Sequence, residues 1–190
     1  MKRFARTACL TAALATCLAA PAWAQKVKLA TSMGDIVMQL DAEKAPKTVA
    51  NFVQYVKAGH YNGTVFHRVM DGFMIQGGGM TPDMQEKPVR APIPLEAGNG
   101  LSNLRGTVAM ARTQNPNSAT AQFFINVGDN LRLDAANSPD GNGYAVFGKV
   151  VEGMDVVDKI KTARVGDKAG HQNVPQSTIL IKQASILSEK

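Results

Sequence analysis

Residues Val65–Gly79 read V-F-H-R-V-M-D-G-F-M-I-Q-G-G-G, and no other stretch restricts the fold so tightly. Two short runs, Val65–Met70 and Phe73–Gln76, flank the turn dipeptide Asp71-Gly72, which predicts a β-hairpin. Residues two apart share a strand face, so Phe66 and Arg68 are expected together with His67 opposite, and Met74 together with Gln76. An arginine and a glutamine would then stand among Phe66, Phe73 and Met74 on the concave side of a sheet. A cation in an apolar, aromatic-lined hollow is unfavourable unless it has a task there. Arg68 and Gln76 are therefore the first candidates for chemistry.

The flanking sequence supplies more strands of similar length. Val27–Thr31 and Gly34–Leu40 alternate as a second hairpin. Pro46 opens a helix at a position where a missing N–H does no harm. Val49, Phe52, Val53 and Val56 give that helix one apolar face before Gly59 ends it, and it is expected to plug an open end of a barrel. Met80–Asn103 carries Pro82, Pro88, Pro92 and Pro94 with Gly98 and Gly100, which rules out long regular structure; a loop of this length is either functional or mobile, or a surface connection between strands. Thr107–Arg112, Gln122–Val127, Tyr144–Val151 and Thr178–Leu187 read as further strands, and Met154–Ile160 as a second short helix. Many short strands with two brief helices predict an all-β closed barrel with capped ends.

The run F-H-R-V-x-x-G-F-M-I-Q-G-G resembles the signature of the cyclophilins, the β-barrel family of peptidyl-prolyl cis-trans isomerases. G-T-V-A-M-A at Gly106–Ala111, Q-F-F-I-N at Gln122–Asn126 and F-G-K-V at Phe147–Val150 follow in family order, so the resemblance covers most of residues 27–187. Q-N-V-P at Gln172–Pro175 is most similar to secreted bacterial forms. The resemblance implies a closed eight-stranded antiparallel β-barrel capped by two short α-helices. It also implies catalysis by Arg68, oriented by Gln76, with Phe73 beside them. Phe73, Met74, Phe124 and Leu133 would form the walls of a proline pocket. Ala111 and Arg112 would pair with the substrate backbone, and Gln122 would make a polar contact to the peptide. Phe66, Met110, Arg132 and Tyr144 complete the implied substrate-binding set. Tyr144 stands where vertebrate-like members have a histidine, and Arg132 where they have a tryptophan, beside the Asn-, Asp- and Gly-rich insertion Ala135–Gly143. Both departures alter the pocket rim and bear on cyclosporin binding.

Isomerisation of an X–Pro bond moves no proton and needs no nucleophile, metal or cofactor, and none is expected. His67 therefore reads as a core histidine, while His60 and His171 lack metal-ligand spacing. Gly77-Gly78-Gly79 is followed by no Lys-Ser or Lys-Thr pair, so it reads as a bulge or tight turn rather than a phosphate loop.

Residues 1–24 read as an export signal. Lys2, Arg3 and Arg6 precede the apolar run Ala8–Ala20, and Ala22-Trp23-Ala24 is an A-x-A cleavage site. The run is shorter than the about 20 residues of a membrane-spanning helix. A lipoprotein signal at Leu14-Ala15-Thr16-Cys17 is the lesser alternative. Both cysteines, Cys9 and Cys17, lie in this segment, so the expected mature chain has no disulfide and no thiolate chemistry. Without the three basic residues of the signal, 18 basic residues face 15 acidic ones, a net charge of +3 rather than +6. No run of like charges suggests nucleic-acid binding.

Gln25–Lys190, 166 residues, suits one isomerase domain with a full core. The expected protein is a periplasmic, monomeric prolyl isomerase acting on proline-containing segments of folding exported proteins. The alternative is a chaperone module that binds such segments with little turnover. The mature N-terminus should be Gln25, as read by intact mass of protein recovered from the periplasm. A lipid-modified Cys17 would contradict this.

Overall fold

The protein, seen in a computed structural model, is described over residues 25–187. The expected export signal lies outside these residues. In chain order the elements are β1 (Lys26–Thr31), β2 (Gly34–Leu40), α1 (Pro46–Lys57), β3 (Thr64–Met70), β4 (Met74–Gly77), β5 (Thr107–Met110) and β6 (Phe123–Asn126). There follow a single 3-10 turn (Leu131–Leu133), β7 (Val146–Glu152), α2 (Met154–Lys161), β8 (Val165–Lys168), β9 (His171–Pro175) and β10 (Leu180–Leu187). Eight strands close a barrel in the order β1-β10-β3-β4-β6-β5-β7-β2, and the paired neighbours run antiparallel. The expected fold class and the two short helices are therefore observed. No helix among the described residues is long and apolar enough to cross a membrane.

The hairpin β8–β9 lies outside the barrel and was not expected from the sequence. It turns at Ala169-Gly170, both in the left-handed region at φ 50° and 82°, the geometry of a two-residue hairpin turn. All of β8 and the start of β9 are exposed or half-buried, so no apolar alternation marks them. Between Met80 and Asn103 only two isolated bridges form, Met80 with Glu86 and Ile93 with Ala119, as the prolines require.

Inward-facing residues of the barrel meet the apolar stripe of α1 in one core. Phe52 of α1 is its hub: its ring centroid lies 5.0 Å from Tyr61, 5.5 Å from Phe123 and 5.1 Å from Phe147. The Tyr61 hydroxyl donates to the Ala121 carbonyl at 2.9 Å, so its buried oxygen is satisfied. Strand alternation sends Phe123 and Ile125 into this core and Phe124 to the opposite face, where it packs with Met74, Ala109 and Val146 in a separate cluster.

One irregularity decides what reaches that second face. Between β3 and β4, Phe66 pairs with Gly77 and Arg68 with Gln76, leaving His67 as an extra residue, a β-bulge. In an unbroken strand Phe66 and Arg68 would share a face. The bulge separates them, so Phe66 enters the core while Arg68 lies outside the barrel. Replacing Phe123 with alanine should lower stability by about 3–5 kcal/mol, the range for deleting a buried aromatic ring. Urea unfolding followed by circular dichroism would measure it, and a loss below about 1 kcal/mol would contradict this account of the core.

Candidate active site

Strand register lines up one row of residues across five strands. Arg68 on β3 pairs with Gln76 on β4, Gln76 with Phe124 on β6, Phe124 with Ala109 on β5, and Ala109 with Val146 on β7. Around the near end of this row lies a cavity of about 110 Å³ lined by Arg68, Phe73, Met74, Gln76, Ala111, Arg112, Phe124, Leu133 and Tyr144. At roughly 30 Å³ per liquid water, it admits one small side chain. Its lining holds two arginines and no carboxylate.

Arg68 is half-buried, and its Nη1 donates to Gln76 Oε1 at 3.4 Å. The Gln76 amide in turn donates to Gln122 Oε1 at 2.8 Å. Gln122 occupies space left by Gly79, where a Cβ would come within 2.5 Å of the Gln122 side chain. The third glycine of the run is thus needed for close approach. The second, Gly78, has φ 88° and would drive a Cβ to 2.8 Å from the Tyr61 ring. Among the described residues Arg68 has no carboxylate within ion-pair distance. Its charge is free to face the cavity.

Phe73 is fixed from behind. Its carbonyl accepts from Val127 N at 3.0 Å and from Asn130 Nδ2 at 2.7 Å. Asn130 also donates to Asn126 Oδ1 at 2.8 Å, and Asn126 to Asn103 Oδ1 at 3.2 Å. Asn103 completes the chain by donating to Asp134 Oδ1 from both its backbone at 2.7 Å and its side chain at 2.9 Å. This buried amide network joins the start of β4 to the 3-10 turn that carries Leu133. The Arg132 guanidinium stacks on the Phe73 ring at 4.8 Å.

Several implied site residues stand elsewhere. Phe66, 1 % exposed, lies in the barrel core with its ring edge-on to Phe123, because the His67 bulge reverses its parity relative to Arg68. The expectation of Arg68 beside Phe66 on the concave face is corrected on the same ground. Met110, 2 % exposed, pairs with Phe123 and shares its inward face, whereas Ala109 and Ala111 point the other way. Gln122 does not line the cavity but reaches it through Gln76.

Arg112 lines the cavity, and its guanidinium is held in a fixed bonding set. Its side chain is 3 % exposed and donates to Asp140 Oδ2 at 2.5 Å, Gly143 O at 2.8 Å and Thr113 O at 2.9 Å. It also stacks on Tyr144 at 4.6 Å. These bonds tie the Ala135–Gly143 insertion to the pocket edge. Hydrogen bonds from Ser138, Asn142, Arg112 and Gly143 hold the Asp140 carboxyl well below the usual carboxylate range. The sequence signal was the insertion's Asp and Gly content, whose partner across the chain could not be read.

His67 is buried, as expected for a core histidine, but its Nδ1 has no partner. Burial lowers its pKa to about 4, helped by the charges of His171 and Arg68, while bonds involving Val65 and Gln122 oppose the shift. The ring is therefore neutral near pH 7. No group of three or more His, Cys, Asp or Glu among the described residues is arranged to hold a metal ion.

Apolar walls at Phe73, Met74, Phe124 and Leu133 beside one uncompensated cation suit non-covalent work on a small apolar ring. Comparison with known proteins identifies the class. The profile described as cyclophilin type peptidyl-prolyl cis-trans isomerase/CLD matches residues 26–186. The peptidyl-prolyl cis-trans isomerase cyp18 of Streptomyces antibioticus is 59 % identical over 162 residues, covering 85 % of this chain and 98 % of its own. Peptidyl-prolyl cis-trans isomerase B of Escherichia coli (strain K12) is 55 % identical over 157 residues, 82 % of this chain and 96 % of its own. A solved cyclophilin-type isomerase from Cryptosporidium parvum superposes with a TM-score of 0.72 at 27 % identity, covering 88 % of this chain and all of that one. The chain belongs to the cyclophilin-type peptidyl-prolyl cis-trans isomerases.

The His67 shift makes stability depend on pH. The unfolded ring takes its proton near pH 6.5 and the folded one near pH 4, so between these values the unfolded chain binds more protons. Stability present above about pH 6.5 should fall as pH drops toward 4, by roughly 3 kcal/mol from this residue, and level off below. Burial of His60 acts in the same direction. Urea unfolding at stepped pH should show a shallower acid slope in His67→Gln, and an unchanged slope would contradict the assignment.

Proposed function

We propose that Arg68 is the transition-state donor for rotation about X–Pro bonds, with Gln76 holding it and Phe73, Met74, Phe124 and Leu133 gripping the proline ring. Uncatalysed rotation faces a barrier of about 18–20 kcal/mol, because C–N resonance is lost as the bond twists. The twisted prolyl nitrogen becomes pyramidal and exposes a lone pair that neither planar isomer offers. A guanidinium hydrogen bond to that nitrogen is therefore made only in the transition state, which is the condition for raising turnover. A charge-assisted bond of this kind contributes roughly 1.5–3 kcal/mol. The apolar walls that exclude water add to it, since the planar amide is more dipolar than the twisted one and loses more on leaving water.

The observation that carries this reading is the half-buried Arg68, without a carboxylate partner among the described residues, beside the apolar walls Phe73, Met74, Phe124 and Leu133 of a pocket sized for one small side chain. A module that only bound proline segments would have no need of that donor. Gln76 and Gln122, linked at 2.8 Å, restrict where Arg68 can lie and so lower the entropy lost in reaching the reactive geometry.

We further propose that residues 25–190 act as a monomer in the periplasm on exported polypeptides, after cleavage behind Ala24. The basic start, the apolar run and the A-x-A site support this reading.

Truncation of Arg68 to alanine should lower kcat/KM for a proline peptide about 10²–10³-fold, as for loss of one strong transition-state donor. Arg68→Lys should recover little, because a single ammonium does not reproduce the planar fork. Near-full activity in Arg68→Ala, with unchanged circular dichroism, would overturn the mechanism.

A further inference from the structure

The two arginines at the pocket rim differ in one respect. Arg112 is neutralised by Asp140 at 2.5 Å and buried. Arg132 is exposed, lies flat on Phe73 at 4.8 Å, and among the described residues takes part in no side-chain hydrogen bond or ion pair. Arg68 likewise has only the neutral Gln76 for company. The acidic groups on neighbouring elements are already engaged. Asp71 faces Lys161 at 3.7 Å, Asp134 accepts twice from Asn103, and Asp129 accepts from the backbone of Arg105. Two uncompensated guanidinium groups thus flank a cavity whose lining carries no carboxylate.

We infer that Arg132 is a specificity-determining residue that selects client segments carrying a carboxylate side chain next to the proline. This inference rests on the isomerase reading above and names its preferred substrate class. Phe73 is both a pocket wall and the platform for the guanidinium. A proline seated against that ring brings its neighbouring residues to the rim where Arg132 lies. Stacking on the ring restricts the long side chain and aims its N–H groups sideways. A glutamate there gains a charge-assisted hydrogen bond, while a lysine meets two like charges. Because the contact is at the exposed rim, the preference is modest and screened by salt.

The test compares proline peptides of one length with Glu, Ala or Lys immediately before the proline, and a second set with the same residues after it. At low ionic strength the ratio of kcat/KM for Glu over Lys should be about three- to ten-fold in at least one set, from one attraction and one repulsion of the size of exposed ion pairs. It should fall toward one in roughly 0.5 M salt, where the screening length is a few ångströms. Arg132→Gln should bring the low-salt ratio to within about two-fold of one, and Arg132→Lys should keep most of it, each normalised to the same protein's rate on its alanine peptide. Peptide dissociation constants from NMR titration should follow the same order, and they read Arg132 even if turnover fails. A failure of the Arg68 mechanism is thereby distinguished from a failure of this inference. Equal constants for Glu and Lys peptides in both sets, or a preference that survives Arg132→Gln, would overturn it.

Discussion

The site depends on a single extra residue. Without the bulge at His67, the alternation that buries Phe66 would bury Arg68 as well, placing an unpaired guanidinium inside a closed apolar barrel. That arrangement is prohibitively unfavourable. With the bulge, Phe66 completes the core against Phe123 and Arg68 opens onto the outer face opposite Gln76. The histidine that occupies the bulge stays neutral and has one ring nitrogen unpartnered. Burying such an atom is destabilising by about 1–3 kcal/mol, a local cost of turning the arginine outward.

Around that arginine the outer face divides its labour. The register row Arg68–Gln76–Phe124–Ala109–Val146 fixes heights and spacings through backbone pairing alone. The asparagines 103, 126 and 130 hold Phe73 and the turn before Leu133 from behind. Arg112 and Asp140 pin the insertion that ends at Gly143, just before Tyr144. The pocket walls are thus set by satisfied buried polar groups rather than by loop packing, which suits a catalyst that must meet a short-lived twisted bond in a prepared geometry.

Much of this was legible in the sequence. A closed barrel of short strands, both helices and the irregular Met80–Asn103 connection follow from alternation, helical periodicity and proline placement, and the count of eight antiparallel strands was implied by the resemblance. Arg68, Phe73, Met74, Ala111, Arg112, Phe124, Leu133 and Tyr144 do come together around one cavity with Gln76. Four things were not legible. A bulge leaves no mark in a pattern of period two, so Phe66 was set on the wrong face. Met110 was carried by resemblance to a position whose parity, fixed by Phe123, points inward. The Arg112–Asp140 pair spans 28 residues across an insertion, and nothing local links the two. The β8–β9 hairpin was missed because its strands are largely exposed and bury too little to show alternation.

The central claim is that the bulge delivers Arg68 to the twisted prolyl nitrogen. The most direct measurement is a crystal structure of the Gln25–Lys190 protein bound to a peptide whose proline is replaced by an analogue with a pyramidal nitrogen. The expected result is the proline-like ring against Phe73 and Phe124, with an Arg68 N–H group about 2.8–3.2 Å from that nitrogen, a hydrogen-bond distance. A ring seated elsewhere, or an Arg68 guanidinium more than about 4 Å from the nitrogen with the ring in place, would contradict it.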